Sequence, residues 1–172
     1  FSVLVIPSLP LYQPVPVDPS WEMPTSNEPP SGAVTVRFTG TSTLLFSDGQ
    51  THWLVDGWFT RPGLIQLIAG KIEPDLQAIE FGLSANEITE LAAVIPMHSH
   101  YDHAMDSPEV ARRTNAVLMG SESTANIGRG WGLPEEQIAV FQNRVPVRIG
   151  SFEITPVESR HFEFADAAMR ER

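Results

Sequence analysis

The sequence predicts an α/β fold built as one layered domain, and three observations support this class. Apolar and polar residues alternate from Ala33 to Phe38, as in a half-buried strand at the start of the domain. Helical patterns and short apolar runs alternate further along the chain. A dense group of histidines follows directly after the apolar run 92–97. Loops past strand ends carry the functional sites of open α/β sheets, so a site is predicted there.

Composition divides the chain of 172 residues into an arm and a domain. Residues 1–32 contain eight of the 15 prolines and are predicted to form an extended N-terminal arm. Residues 33–172 are predicted to form the domain, incomplete at its C-terminal end. The apolar start 1–6 fits the end of a removed signal peptide and fits an ordinary N-terminal arm equally well. A periplasmic or secreted location is therefore a hypothesis.

Charge and cysteine content exclude several classes of function. The formal net charge is −10, with 11 Lys and Arg against 21 Asp and Glu, so nucleic acid is not an expected partner. Without cysteine, disulfides and thiolate chemistry are excluded, and any metal must be held by histidine and carboxylate. No run approaches the roughly 20 apolar residues that a membrane-spanning helix needs.

Local patterns predict the order of the elements. The predicted strands are 33–38, 41–46, 52–55, 92–97 and 116–119, with a turn at 47–50 and a C-terminal hairpin of 145–148 and 152–157. The predicted helices are 64–68, 84–91, 107–115, 121–127 and 134–138. Ser84 and Ser107 are the expected N-caps of two of them, Ser84 with Glu87 three residues on and Ser107 with Pro108 at the first helical position.

The histidine group has the spacing of a metal site. His98 and His100 are two residues apart, so an extended loop turns both imidazoles to one side. Asp102 and His103 lie one step further round the turn and can face a second ion. Paired metals about 3.5–4 Å apart can clamp a substrate oxygen. An accidental cluster or an oligomer contact is the alternative.

The pattern His98-x-His100-x-Asp102-His103 resembles the signature of the metallo-β-lactamase superfamily. The resemblance implies a four-layered αβ/βα sandwich with metals at the sheet edge. It implies that His98 and His100 bind the first metal and that Asp102 and His103 bind the second. Asp102 is also the candidate catalytic residue, because it would orient the attacking water.

Three further residues take roles from this resemblance. Asp56, at the end of strand 52–55, resembles the acid of the family's first motif, which braces the ligand loop. His161 resembles the third-motif histidine, the remaining ligand of the first metal. Asp106 either braces the motif loop or simply precedes the next helix. His52 matches no motif and is expected to be structural or exposed.

The resemblance covers residues 33–161, which corresponds to the N-terminal half of the sandwich. The family's later bridging aspartate and last histidine have no counterpart, since only eleven residues follow His161. We therefore expect a further segment, missing from this chain or separate from it, to supply these ligands. A half-domain with altered chemistry is the alternative.

The expected activity is hydrolysis of a small-molecule ester, lactone, amide or phosphodiester by zinc-activated water, with two zinc ions expected and iron or manganese as alternatives. Segments 40–45 and 56–62 resemble the lactonase and N-acyl-phosphatidylethanolamine phospholipase D-like group, so the expected hydrolase is narrowed to a member of that group. Trp58 and Phe59 either line a pocket for an apolar substrate or pack against the arm. The competing functions are a redox enzyme or a non-catalytic binding protein of the same fold.

Overall fold

A computed structural model describes residues 18, 20, 30 and 32–159, with the side chain of residue 69 excepted. The chain divides into two units, Phe1–Pro30 and Ser31–Arg172. All but three of the described residues lie in the second unit. Among these residues, no helix has the length and apolar character that crossing a bilayer requires.

Six strands form one mixed sheet in which spatial order follows chain order. The strands are β1 (Thr35–Gly40), β2 (Thr43–Ser47), β3 (His52–Val55), β4 (Ala93–Ile95), β5 (Val117–Gly120) and β6 (Ile138–Val140). The pairs from β1 to β3 are antiparallel and the pairs from β3 to β6 are parallel. A separate antiparallel hairpin joins β7 (Val147–Ile149) and β8 (Phe152–Ile154). The predicted α/β class is confirmed.

Helices connect the parallel strands, as parallel pairing requires. They are α1 (Leu64–Ala69), α2 (Leu76–Ala85), α3 (Tyr101–Ala104), α4 (Ser107–Thr114) and α5 (Glu122–Trp131). Because β3 and β4 are parallel, their carboxyl ends meet at one edge of the sheet. The backbone N–H of Asp56 donates to the carbonyl of Ile95 across this edge, at 3.1 Å. The residues that follow both strands are thereby held side by side.

Each face of the sheet carries its own apolar core, because successive strand residues point to opposite faces. Leu54, Val94 and Leu118 are fully buried on one face, against α2 and α4 residues such as Ile79 and Val110. The other face collects a second cluster that reaches the β7–β8 hairpin; its buried members are Trp53, Val55, Ala93, Ile95 and Ile149. Strands β3 and β4, which are buried on both faces, are a rigid support for the loop that follows them.

The predicted helix at 84–91 is wrong, because α2 lies earlier in the chain. Its N-cap is Asp75, whose carboxylate accepts from the backbone N–H groups of Gln77 and Ala78. Ser84 stands near the end of that helix rather than at the start of one. Glu87 has φ of 58°, a left-handed conformation that terminates a helix. The Ser84 and Glu87 pair resembles a capping box in spacing alone.

A second predicted helix and one predicted N-cap also differ from the structure, beside shifts of a few residues at the ends of other elements. The segment 134–138 is not an α-helix: a single 3-10 turn at Glu135–Gln137 leads into strand β6, which the apolar pattern left unrecognised. The N-cap position of α4 is Asp106, so that Ser107 is its first helical residue. Ser107 is displaced from the cap role because its hydroxyl donates to the carbonyl groups of Asp56 and His103.

Glu109 is a buried carboxylate that ties α4 to α5. It accepts hydrogen bonds from Arg112 and Arg113 of its own helix and from the indole N–H of Trp131, at 3.0 Å. Burial alone would raise the pKa of Glu109, but these donors outweigh burial and lower the pKa to about 2. The folded protein therefore prefers the ionised form much more strongly than the unfolded chain does.

We expect Glu109→Gln to lower the free energy of unfolding at pH 7 by about 3 kcal/mol, since it removes the charge from a buried pair. Because the pKa falls on folding from 4.5 to about 2, this contribution is complete above pH 4.5 and is lost as pH falls toward 2. Urea unfolding at pH 7, 5 and 4 should show the gap between variant and wild type narrowing. The exposed Glu90→Gln should change little at any pH, and a gap that widens on acidification contradicts the assignment.

Candidate metal centre

The histidine group lies where the sheet edge predicts it, on the loop after β4 and in the short helix α3. His98 and His100 belong to the loop, and His100 occupies the N-cap position of α3. Asp102 and His103 lie within that helix. Four residues with metal-donor side chains therefore lie within six consecutive residues of the chain.

Three of these residues converge. His98, His100 and Asp102 each offer a ligand atom, and these atoms all lie within 4.8 Å of one another. The imidazole centroids of His98 and His100 are 4.7 Å apart, and those of His98 and His103 are 3.9 Å apart. Two imidazoles and a carboxylate at this separation are a donor set that suits Zn²⁺, Fe²⁺ or Mn²⁺. The chemistry of the residues present therefore fits a divalent metal.

Asp56 orients the imidazole of His103 through a hydrogen bond at its Nδ1. Its Oδ2 is 2.8 Å from Nδ1 of His103, and its Oδ1 accepts from the backbone N–H of Met97 at 2.8 Å. The Asp56 side chain is buried, and its φ of 61° is a left-handed conformation that aspartate tolerates better than most residues. With Nδ1 held by Asp56, the other ring nitrogen, Nε2, lies 3.9 Å from Oδ2 of Asp102. This is the carboxylate–histidine arrangement that fixes the tautomer of a metal-binding imidazole.

Two serines that the sequence did not indicate as site residues also hold the histidine loop. The hydroxyl of Ser107 bonds to the backbone of both Asp56 and His103. The hydroxyl of Ser42, from the β1–β2 turn, lies 3.4 Å from the carbonyl oxygen of Asp102. Both serines act on backbone atoms, and no motif in the sequence marks such contacts.

Asp106 supports a different loop from the one that bears the histidines. Its Oδ2 accepts from the backbone N–H groups of Phe59 and Thr60 at 2.8 and 2.6 Å, and its Oδ1 accepts from the Thr60 hydroxyl at 2.8 Å. Burial raises the pKa of the Asp106 carboxyl, although these hydrogen bonds oppose the shift. Neither expected role holds as stated: the Asp106 carboxylate bonds to residues 59 and 60 rather than to the histidine loop, and Asp106 occupies the N-cap position of α4 without a side-chain cap bond. It fixes the segment that follows Asp56.

The remaining histidines separate into two cases. His161 lies outside the described residues, so its predicted role as a ligand stays a prediction. His52 is exposed at the start of β3, one of the two situations expected for it.

A row of three side chains extends from the metal motif along the segment after β3. The ring of Tyr101, which lies between His100 and Asp102 in the chain, meets Trp58 edge to face with centroids 6.2 Å apart. The guanidinium carbon of Arg61 lies 4.3 Å from the Trp58 ring centroid. Phe59, by contrast, is buried in the core with the α2 residues Ile79 and Leu83.

Comparison with known proteins agrees with the motif. The sequence is 26% identical over 137 residues to the probable L-ascorbate-6-phosphate lactonase UlaG of Escherichia coli strain HS and equally to that of Shigella boydii. The match covers 69% of this chain and 39% of the lactonase, so the chain spans well under half the length of these relatives. No family model matches the sequence.

Solved structures that resemble this chain include the metallo-β-lactamase SMB-1, with 18% identity and a TM-score of 0.49 over 69% of this chain and 48% of that one. A motif mutant of a metallo-β-lactamase from Cronobacter sakazakii has 17% identity and a TM-score of 0.48, over 71% of this chain and 50% of the other. The spacing of His98, His100, Asp102 and His103 and the sequence similarity to the lactonases agree with a resemblance to the metallo-β-lactamase superfamily.

Proposed function

We propose that this chain carries the ligand loop of a metal-dependent hydrolase that cleaves a small ester, lactone, amide or phosphodiester. The observation that supports the proposal best is the convergence of His98, His100 and Asp102 within 4.8 Å, beside an imidazole braced by a buried carboxylate. A surface cluster without function has no need of such a brace. The similarity to a lactonase supports hydrolysis as the general reaction.

Each residue has a distinct part in the proposal. His98 and His100 hold the first ion, together with His161, and Asp102 and His103 hold the second. Asp56 keeps the proton of His103 on Nδ1, so that Nε2 is free to act as a ligand. Zinc, when bound, is a Lewis acid that makes water acidic enough to attack near neutral pH. The half-exposed Asp102 carboxylate accepts hydrogen bonds, so it can orient that water toward a substrate.

The substrate is proposed to be a small molecule. Phosphorylated sugar lactones are one candidate class, because the relatives with matching sequence are named as lactonases of L-ascorbate 6-phosphate. The remaining ligands of the second ion are proposed to come from a segment that corresponds to the unmatched part of those relatives. The activity therefore belongs to the full-length gene product.

The test is metal analysis of the full-length protein purified without chelator, followed by turnover assays on an ester, a lactone and a phosphodiester. We expect about two zinc ions per chain, loss of turnover on dialysis against a chelator, and recovery on adding zinc. Protein without bound metal, or turnover that survives chelation, contradicts the proposal. Iron in place of zinc, with no hydrolysis of any substrate, would favour the redox alternative.

A further inference from the structure

Arg61 has donor groups that the fold does not use. Its Nη1 donates to the carbonyl oxygens of Trp58 and Thr60, at 2.8 and 2.9 Å. Within residues 32–159, its Nε and Nη2 have no hydrogen-bond partner and the side chain forms no ion pair. Arg61 is exposed, and arginine keeps its charge at any physiological pH. One edge of the guanidinium is thus anchored and the other is available.

The absence of a side chain at Gly40 leaves room for the second edge of the Arg61 guanidinium. A Cβ atom on Gly40 would lie 2.8 Å from Nη2 of Arg61, so a side chain at this position would push the guanidinium away. Gly40 also has φ of 123°, which side-chain-bearing residues rarely adopt. The guanidinium is therefore held between the Gly40 backbone and the Trp58 ring. An arginine restrained on an aromatic face loses less entropy when it binds an anion.

Trp58 gives the guanidinium a fixed support. Its side chain is only 9% exposed and its indole nitrogen is buried, so Trp58 offers Arg61 an aromatic face rather than a donor to a ligand. The Trp58 ring lies between the Arg61 cation and Tyr101, which is next to two of the candidate metal ligands. The unused edge of Arg61 therefore belongs to a row of side chains that leads to the metal motif.

Arg61 also borders a cavity of about 370 Å³. The cavity is lined by a second cation, Lys71, and by the acids Glu73 and Asp75. The Asp75 carboxylate is engaged in capping α2, which leaves Glu73 as the one acid on this wall without a hydrogen bond in the described chain. The space beside Arg61 is thus large enough for a small polar group and is not dominated by negative charge.

We propose that Arg61, supported by the Trp58 ring, forms an anion-binding subsite near the metal motif and that the substrate carries a phosphate or carboxylate. This inference rests on the proposed hydrolase function and specifies the class of substrate. The planar guanidinium matches two oxygens of either anion. The scissile bond would lie at the metals and the anionic group at Arg61, with Tyr101 between them.

The kinetic test compares glucono-δ-lactone with 6-phosphoglucono-δ-lactone, which differ only in the phosphate, on the metal-loaded full-length protein. Wild type is expected to prefer the phosphorylated lactone. Arg61→Gln should lower kcat/KM for that lactone about 10- to 100-fold, mainly through KM, and change the neutral lactone less than about 3-fold. Arg37→Gln is the matched control, because Arg37 is an exposed arginine bonded to the Asn86 carbonyl. Equal losses on both lactones would show a structural role only and overturn the subsite.

A binding test separates the subsite from the hydrolase proposal and distinguishes the two anions. Glucose, glucose 6-phosphate and glucuronate share one ring and differ at C6, which is a hydroxymethyl group, its phosphate ester or a carboxylate. We expect calorimetry to show at least 10-fold tighter binding of one anionic sugar than of glucose, with the difference removed in Arg61→Gln and reduced in Trp58→Phe. Arg61-dependent binding without turnover of any ester, lactone, amide or phosphodiester would contradict the hydrolase proposal and leave the subsite. Equal affinity for all three sugars, including no measurable binding, overturns the subsite.

Discussion

Replacing Asp102 with alanine is expected to lower turnover of the full-length enzyme by at least about 100-fold. Loss of a residue that only supports a metal ligand already lowers activity by up to about 100-fold, and loss of a ligand itself should cost at least as much. The carboxylate shares its 4.8 Å cluster with the imidazoles of His98 and His100, so on the proposed function its removal takes away a metal ligand and the acceptor that would orient water. The free energy of unfolding should change by less than about 0.5 kcal/mol, because the side chain is 43% exposed. Steady-state kinetics and urea unfolding measure the two effects.

His52→Ala is the matched control for this experiment. His52 is exposed and lies outside the cluster, so its loss should leave both turnover and metal content unchanged. An Asp102→Ala enzyme with wild-type turnover at full metal loading would remove Asp102 from the mechanism. A variant that unfolds early would instead mean that the residue is structural.

Asp56→Asn is expected to weaken binding of the metal that His103 holds by about 10- to 100-fold. The carboxylate of Asp56 accepts two hydrogen bonds, one from Met97 and one from His103. An amide supplies one acceptor oxygen and turns its NH₂ group toward the other partner. His103 would lose the anion that orients its ring, or the loop would lose its tie at Met97. We expect the free energy of unfolding to fall by about 2 kcal/mol as well.

Asparagine is a better choice than alanine at this position, because it tolerates the φ of 61°. Competition with a chelating dye measures the affinity of each ion in turn. Asp75→Asn is the matched control, since asparagine caps a helix as well as aspartate does and Asp75 lies in the cap of α2. Unchanged affinity for both ions in Asp56→Asn contradicts the bracing role.

The sequence predicted the elements with the strongest local signals. Strand β3 lies where its apolar run predicts, and the N-cap of α5 is Ser121, the residue at which the predicted helix 121–127 begins. The position of α2 was wrong because Ser84 and Glu87 have the spacing of a capping box, whereas the real start depends on the Asp75 carboxylate. Capping residues are common in turns, so only the packing of Ile79 and Leu83 decides between the two helices.

The candidate site could be predicted as far as it is local in the chain. His98, His100, Asp102 and His103 were selected because they are close in sequence. The bond between His103 and Asp56 joins residues 47 positions apart, and no spacing rule reports it. The role of Asp106 was left open because its partners, Phe59 and Thr60, become neighbours only when β3 and β4 pair in parallel.

The six-residue span of the donor set has a consequence for the order of assembly. Ordering a loop this short costs little chain entropy, so the segment 98–103 can capture an ion before distant parts of the protein meet. Asp56 can reach His103 only when the strands align, and this contact would then make a flexible chelate rigid. Metal captured early would then favour the native alignment over its competitors, which makes the ion a participant in folding as well as in chemistry.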